Sequence, residues 1–182
     1  MKNLKTFKKF YSFKKINLEK LSLRHLNDIH EYSTDERFFK YFEYRKFVKK
    51  IQTRKYIIKK LKDVKNSKSI WWSIKLKNNE KVIGTICVYN INFLRKTCEI
   101  GYGINPNYWK KGYFTETLNG LLKIILNKKK FIRCQAITAK NNKSSINGLI
   151  NCGFKKEGIL RKFYSSYNKN KNCDAVLLAK II

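Results

Sequence analysis

TCEIGYGINPNYWKKGYFTETLNGLLKIIL, residues 97–126, holds a strand, a sharp corner and an amphipathic helix in immediate succession. Thr97 to Ile104 alternates with the period of a strand: Cys98, Ile100, Tyr102 and Ile104 fall on one face, Thr97, Glu99, Gly101 and Gly103 on the other. The second face is nearly bare, and a carboxylate beside two glycines leaves room for a ligand or another backbone. Pro106 ends the strand, and beyond Tyr108-Trp109-Lys110-Lys111-Gly112-Tyr113 the residues Leu118, Leu121, Leu122 and Ile125 recur at helical spacing, so one helix face packs on the sheet. A helix start offers N–H groups with no internal partner and the positive end of its dipole, and Gly112 permits close approach. The corner therefore reads as a diphosphate cradle, with an ordinary strand-to-helix connection as the alternative. A Gly-x-x-x-x-Gly-Lys-Ser/Thr run, which would mark a nucleoside triphosphate loop, is not in the sequence.

Around this stretch, 182 residues make one domain with a full core, and 43% hydrophobic with 14% aromatic content is globular. No apolar run reaches the about 18 residues of a membrane span. Residues 1–15 lack the unbroken apolar segment of a secretory signal, so a cytoplasmic protein is expected. Five cysteines, Cys87, Cys98, Cys134, Cys152 and Cys173, form no Cys-x-x-Cys pair, which argues for reduced thiols and against zinc. The formal charge of +30 would draw a polyanion, so a weak association with nucleic acid or the ribosome is an expectation. Seven arginines stand against 35 lysines, however, and an excess of lysine, asparagine and isoleucine also follows from AT-rich codons. Oligomeric state, monomer or homodimer, is left open.

Taken in order, residues 1–15 read as a basic, aromatic, solvated extension ahead of a domain at 16–182. Ile16 to Leu26 reads as a strand, Asn27-Asp28 as the cap of a short helix, Ser33 to Phe42 as a second helical stretch, and Thr53 to Leu61 as a third helix. Ile70–Leu76 and Lys81–Asn90 make a hairpin, and Phe131–Thr138, reached by a helical crossover, lies parallel to Thr97–Ile104. Ile146, Leu149 and Ile150 mark a helix closed by Gly153. Glu157–Tyr164 and Cys173–Ile182 complete the sheet, joined by the polar loop Ser165–Asn172.

Several runs together resemble the GNAT acetyltransferase superfamily, most nearly its ribosomal-protein N-terminal acetyltransferase branch. They are Glu99-Ile100-Gly101-Tyr102, Tyr108-Trp109-Lys110-Lys111-Gly112-Tyr113 with Thr115-Glu116, Asn142-Lys143-Ser144-Ser145 followed by Asn151-Cys152-Gly153-Phe154, Glu157-Gly158-Ile159-Leu160-Arg161, and Leu21-Ser22-Leu23-Arg24 near the start. The resemblance implies an α+β fold, a mixed twisted sheet of about six to seven strands with about four flanking helices. Two parallel strands splay apart to admit the pantetheine arm of acetyl-coenzyme A. It implies cofactor contacts from Ile104, Lys110, Lys111, Gly112, Tyr113, Phe114, Thr115, Asn142 and Ser145, and an acceptor wall from Tyr41, Phe42 and Tyr44, an aromatic set that would otherwise be core.

Direct attack of an amine on a thioester needs a base, an oxyanion donor and a donor to the departing thiolate, and no metal. Glu99 is the candidate base, through a water; the alternative is a structural carboxylate bonded to a neighbouring strand or to Lys81. The Asn105 N–H is the candidate oxyanion donor. A tyrosine that many relatives use towards the thiolate is Leu149 here, so Ser145 is the candidate in its place, or else it caps its own helix. Trp109 stands where relatives carry Gln or Arg, Phe114 where they carry a small residue, and Tyr164 lies near a position where some ribosomal-type relatives carry glutamate. The acceptor is a primary amine: a protein N-terminus, with a nucleotide-linked amino sugar or other small amine as the alternative. A basic RNA- or ribosome-binding protein without turnover is the competing class.

Overall fold

A computed structural model describes residues 7–126, 131–166 and 171–181. Eight strands form one sheet: β1 Phe10–Ser12, β2 Ile16–Lys20, β3 Ser69–Leu76, β4 Val82–Asn92, β5 Thr97–Ile104, β6 Arg133–Ala139, β7 Lys155–Ser166 and β8 Lys171–Ile181, in the order β1-β2-β3-β4-β5-β6-β8-β7. All neighbours are antiparallel except β5 and β6. Five α-helices flank it: α1 Leu26–Ser33, α2 Glu36–Phe39, α3 Lys50–Lys65, α4 Tyr113–Leu126 and α5 Lys143–Asn151.

The anticipated stripe of α4, Leu118, Leu121, Leu122 and Ile125, is buried against Ile16, Leu18, Ile74, Ile86 and Ile100, and α5 adds Ile146 and Leu149 to this core. A smaller cluster of Leu21, Ile29, Tyr32, Ile57 and Val82 seats α1 and α3 on the opposite face. The sheet is thus covered on both sides, as its alternating apolar residues require.

The eighth strand comes from the segment expected to be solvated. Residues 1–6 lie outside the described residues, but Phe7 is buried against Trp72, and Phe10–Ser12 pairs with Asn17–Glu19. The Phe13 ring lies on Gly120 of α4, and Glu116 accepts the Lys15 and Ile16 N–H groups. Aromatic residues spaced along a basic stretch find apolar partners here, so residues 7–15 pack on the domain. The first long strand stops at Lys20, and a single turn of 3-10 helix, Leu23–His25, takes over. The stretch from Ser33 to Phe42 breaks into the end of α1 and one turn of α2, because Asp35 takes an extended conformation and caps Arg37 N–H. Between β7 and β8, residues 167–170 of the expected loop lie outside the described residues.

Candidate active site

The β5–β6 pairing is short. Thr97, Cys98 and Glu99 match Arg133, Cys134 and Gln135, and there the ladder ends. Both strands continue, β5 to Ile104 still paired with β4, and β6 to Ala139 still paired with β8. Each strand keeps its outer neighbour while losing the inner one, which opens a cleft between Gly101–Ile104 and Ile137–Ala139.

Backbone directions in the cleft follow from strand alternation. The Asn105 N–H donates to the Ile83 carbonyl at 2.7 Å, towards β4, while the Ile104 carbonyl accepts from the Trp109 indole at 2.7 Å on the other side. Tyr102 and Ile104 therefore turn their N–H groups to the cleft. This corrects the expected oxyanion donor: the Asn105 N–H is engaged, its side chain accepts from Asn107 N–H, and Pro106 has no N–H. Ile104 is the residue at that corner with an N–H facing the opening.

At the cleft mouth, Gly112 has φ +82°, and a Cβ built on it would meet nothing within 4 Å. The first turn of α4 begins there, with Glu116 N–H the first to reach back to the Gly112 carbonyl. The N–H groups of Tyr113, Phe114 and Thr115 precede the first i→i−4 bond and so have no partner within the helix. Lys110 and Lys111 are exposed beside them, Lys111 5.3 Å over the Tyr108 ring. Phe114 turns inward instead of filling the corner: its ring is 4.5 Å from that of Tyr102 and lies on the bare backbone of Gly148.

On the α4/α5 side of the cleft, Asn142 caps α5 by accepting Ser145 N–H at 3.2 Å. The Ser145 hydroxyl is then free of capping duty and bonds the Tyr102 phenol at 2.6 Å. Burial pushes the Tyr102 pKa up, so the phenol stays protonated. Sequence reading missed Tyr102, since the two residues are 43 apart and only the sheet brings them together.

On the α1/α3 side lies Glu99, 5% exposed. Its carboxylate accepts from Tyr89, from Asn90 at 3.1 Å and from Gln135 at 3.4 Å. Lys81, the other partner considered, pairs with Glu31 at 2.7 Å. Burial and the Glu99 carboxylate raise the Tyr89 pKa. Phe42 stacks on Phe38, and both rings cover Gly103, whose missing side chain makes room for them. Tyr44 exposes 37% of its surface, while burial of its hydroxyl raises its pKa to about 12. Tyr41 reaches the Asn141 carbonyl at 3.2 Å, and Glu43 accepts Ser165 N–H at 3.0 Å, so the 40–47 loop, which covers Gly103 of β5, bridges across to the β6 side of the cleft. The three aromatic residues expected at the acceptor wall thus share one side of the opening with Glu99. Among the described residues no group of three or more His, Cys, Asp or Glu gathers as a metal site.

A mixed sheet with one splayed parallel pair and a helix start at the mouth defines an acyl-transfer fold. The family described as "Acetyltransferase (GNAT) domain" matches residues 15–155. The chain belongs to that family. It is 29% identical over 96 residues to an uncharacterized N-acetyltransferase, YoaA, of Bacillus subtilis, a match spanning 53% of this chain and 54% of that protein. Among solved structures, the microcin C7 self immunity acetyltransferase MccE in complex with acetyl-CoA and AMP superimposes with TM-score 0.84 at 24% identity, over 93% of this chain and 94% of that one. A ribosomal L7/L12 alpha-N-protein acetyltransferase in complex with coenzyme A gives 0.83 at 16% identity, over 93% and 96%. At these identities the structural likeness speaks for the fold.

Proposed function

We propose that this protein is an N-acetyltransferase that moves the acetyl group of acetyl-coenzyme A to a primary amine, foremost a protein N-terminal amine. The observation that carries it is the cleft: β5 and β6 separate after Glu99 and Gln135 and leave Tyr102 and Ile104 N–H groups facing the opening. An extended amide-bearing arm is the ligand such an edge accepts, as an added strand would be. The open Gly112 corner, the first N–H groups of α4 and the two exposed lysines suit its diphosphate.

Acetyl-coenzyme A supplies an acyl group activated as a thioester. The chain's own residues supply the rest. Ile104 N–H faces the cleft as the oxyanion donor, and Ser145, oriented by Tyr102, donates a hydrogen bond towards the departing sulfur. Glu99 is the base, relayed through Tyr89 or a water. The three hydrogen bonds its carboxylate accepts suit a structural anchor as well as a base, so substitution is decisive for it. A protein N-terminus is favoured by likeness to the ribosomal L7/L12 enzyme across nearly the whole chain. The AMP held by the microcin immunity enzyme favours a nucleotide-linked amine as second reading.

Thermal denaturation with coenzyme A tests the reading. Ligand at 100 times its dissociation constant should add about 2.7 kcal/mol, and an acetylation assay on an amino-terminal peptide against a nucleotide-linked amine separates the acceptors. No shift with coenzyme A or acetyl-coenzyme A would move the protein to the RNA-binding class.

A further inference from the structure

The parallel ladder stops abruptly, with nothing in the local sequence of β6 to stop it. Arg133 N–H points back to the Lys96 carbonyl just before β5, whereas Lys140 N–H points to the Asp174 carbonyl on β8. By alternation, the odd residues of β6 address β5 and the even ones address β8. Ile137 is odd, so its N–H and carbonyl face the cleft, and two more bonds of the ladder, Ile137 N–H to the Ile100 carbonyl and then Tyr102 N–H to the Ile137 carbonyl, would zip the strands further.

That carbonyl is taken. The Tyr164 phenol donates to it at 3.0 Å from β7, two strands away. A bulge makes the reach feasible: Leu160 pairs with Ala175 but Tyr164 with Cys173, so β7 carries two extra residues, with Lys162 at φ +50° and its N–H held by Asp174. Bulges of this kind bend a strand and re-aim its side chains beside functional sites. The Ser165 N–H to Glu43 bond fixes the bent end from the other rim. Burial, then the Glu99 and Glu43 carboxylates, pushes the Tyr164 pKa up to about 12, which keeps the hydroxyl a donor at neutral pH.

We infer that Tyr164 is the wedge of the splay, a positioning residue whose hydroxyl occupies the Ile137 carbonyl and so leaves the Tyr102 N–H for the acyl donor. The inference rests on the acyl-transfer reading for the identity of that donor, but not for the wedge itself. Without the phenol, the Ile137 carbonyl is open to the Tyr102 N–H, so β5 and β6 can extend their ladder by two hydrogen bonds, Ile137 N–H to Ile100 and Tyr102 N–H to Ile137, and the inner end of the cleft closes.

The test is the full chain carrying Tyr164→Phe, which keeps the ring and removes only the hydroxyl. Two readouts are taken: amide hydrogen exchange at Tyr102 without ligand, and coenzyme A affinity by calorimetry. The expected result is slower exchange at Tyr102 in the variant and binding about tenfold weaker, with a melting temperature at or above that of the parent. A purely structural tyrosine would instead lower the melting temperature and leave Tyr102 exchange unchanged, and that outcome overturns the wedge. If the parent chain does not bind coenzyme A, the acyl-transfer reading fails on its own, and the exchange measurement still decides the role of Tyr164.

Discussion

The two faces of β5 treat polar groups differently. Towards α1 and α3, Glu99 is held by Tyr89, Asn90 and Gln135, and further out on the same face His25 is enclosed by Ser73, Ser22 and Glu19. Towards α4 and α5, the cleft holds an isolated pair, Tyr102 with Ser145. Each hydroxyl carries one proton, so a pair that shares a single hydrogen bond keeps a second proton to point elsewhere. A cluster whose hydrogen bonds are already made is fixed in place, while an unsaturated pair can meet a charge that develops during reaction. The contrast assigns rigidity to one face and hydrogen-bond donation to the other, with Glu99 as the residue that strains the division.

Acid should break the saturated face first. Burial, then the charges of Arg24 and Lys75, lowers the His25 pKa to about 4 from 6.5. Between those values the unfolded chain binds a proton that the folded chain refuses, so the stability is full above pH 6.5 and is lost as pH falls towards 4. The expected loss is about 3 kcal/mol. Urea denaturation at pH 7 and pH 4.5 measures it, and His25→Gln should flatten the difference. An equally steep loss in that variant would move the acid sensitivity to other groups.

Glu99→Gln tests the residue that crosses the division. Turnover should fall about 100-fold with acetyl-coenzyme A affinity unchanged if the carboxylate takes the proton. Unchanged turnover with reduced stability would make Glu99 an anchor between β4 and β6, as its three donors allow. A smaller effect is expected from crowding the acceptor side. In Gly103→Val the new Cβ would stand 2.6 Å from the Phe38 ring, costing about 2 kcal/mol of stability. Acceptor KM should rise while coenzyme A affinity holds, since the α4/α5 side is untouched; a loss confined to coenzyme A affinity would place the acceptor elsewhere.

Strand and helix periods made most of the sheet legible, because Cys98-Ile100-Tyr102-Ile104 and Leu118-Leu121-Leu122-Ile125 can bury only one face each. The splay was expected from a resemblance, and no local feature of Phe131–Thr138 reveals it: the bond that occupies the Ile137 carbonyl in the cleft comes from Tyr164, 27 residues beyond it. The same limit hid Tyr102 behind Ser145 and the donors behind Glu99. Asn105 was misassigned for a different reason. Position in the sequence places a residue at the corner, but only register shows whether its N–H points to β4 or to the cleft. Residues 7–15 were misread because their lysines obscured Phe7 and Phe13, whose partners Trp72 and Gly120 lie far along the chain.

The smallest effect discriminates most finely, because it probes the unsaturated pair without disturbing the core. Ser145→Ala removes the group aimed at the sulfur and should lower kcat about tenfold. Tyr102→Phe keeps the ring on Phe114 and removes only the partner hydroxyl, so the Ser145 proton loses its fixed direction. Its kcat should fall by less than in Ser145→Ala, with KM for acetyl-coenzyme A steady in both. The double variant should be no slower than Ser145→Ala alone, because Tyr102 acts through the serine. Losses that multiply instead would mean that the phenol reaches the reacting atoms independently, and the division of labour between the two faces would then rest on Tyr102 itself.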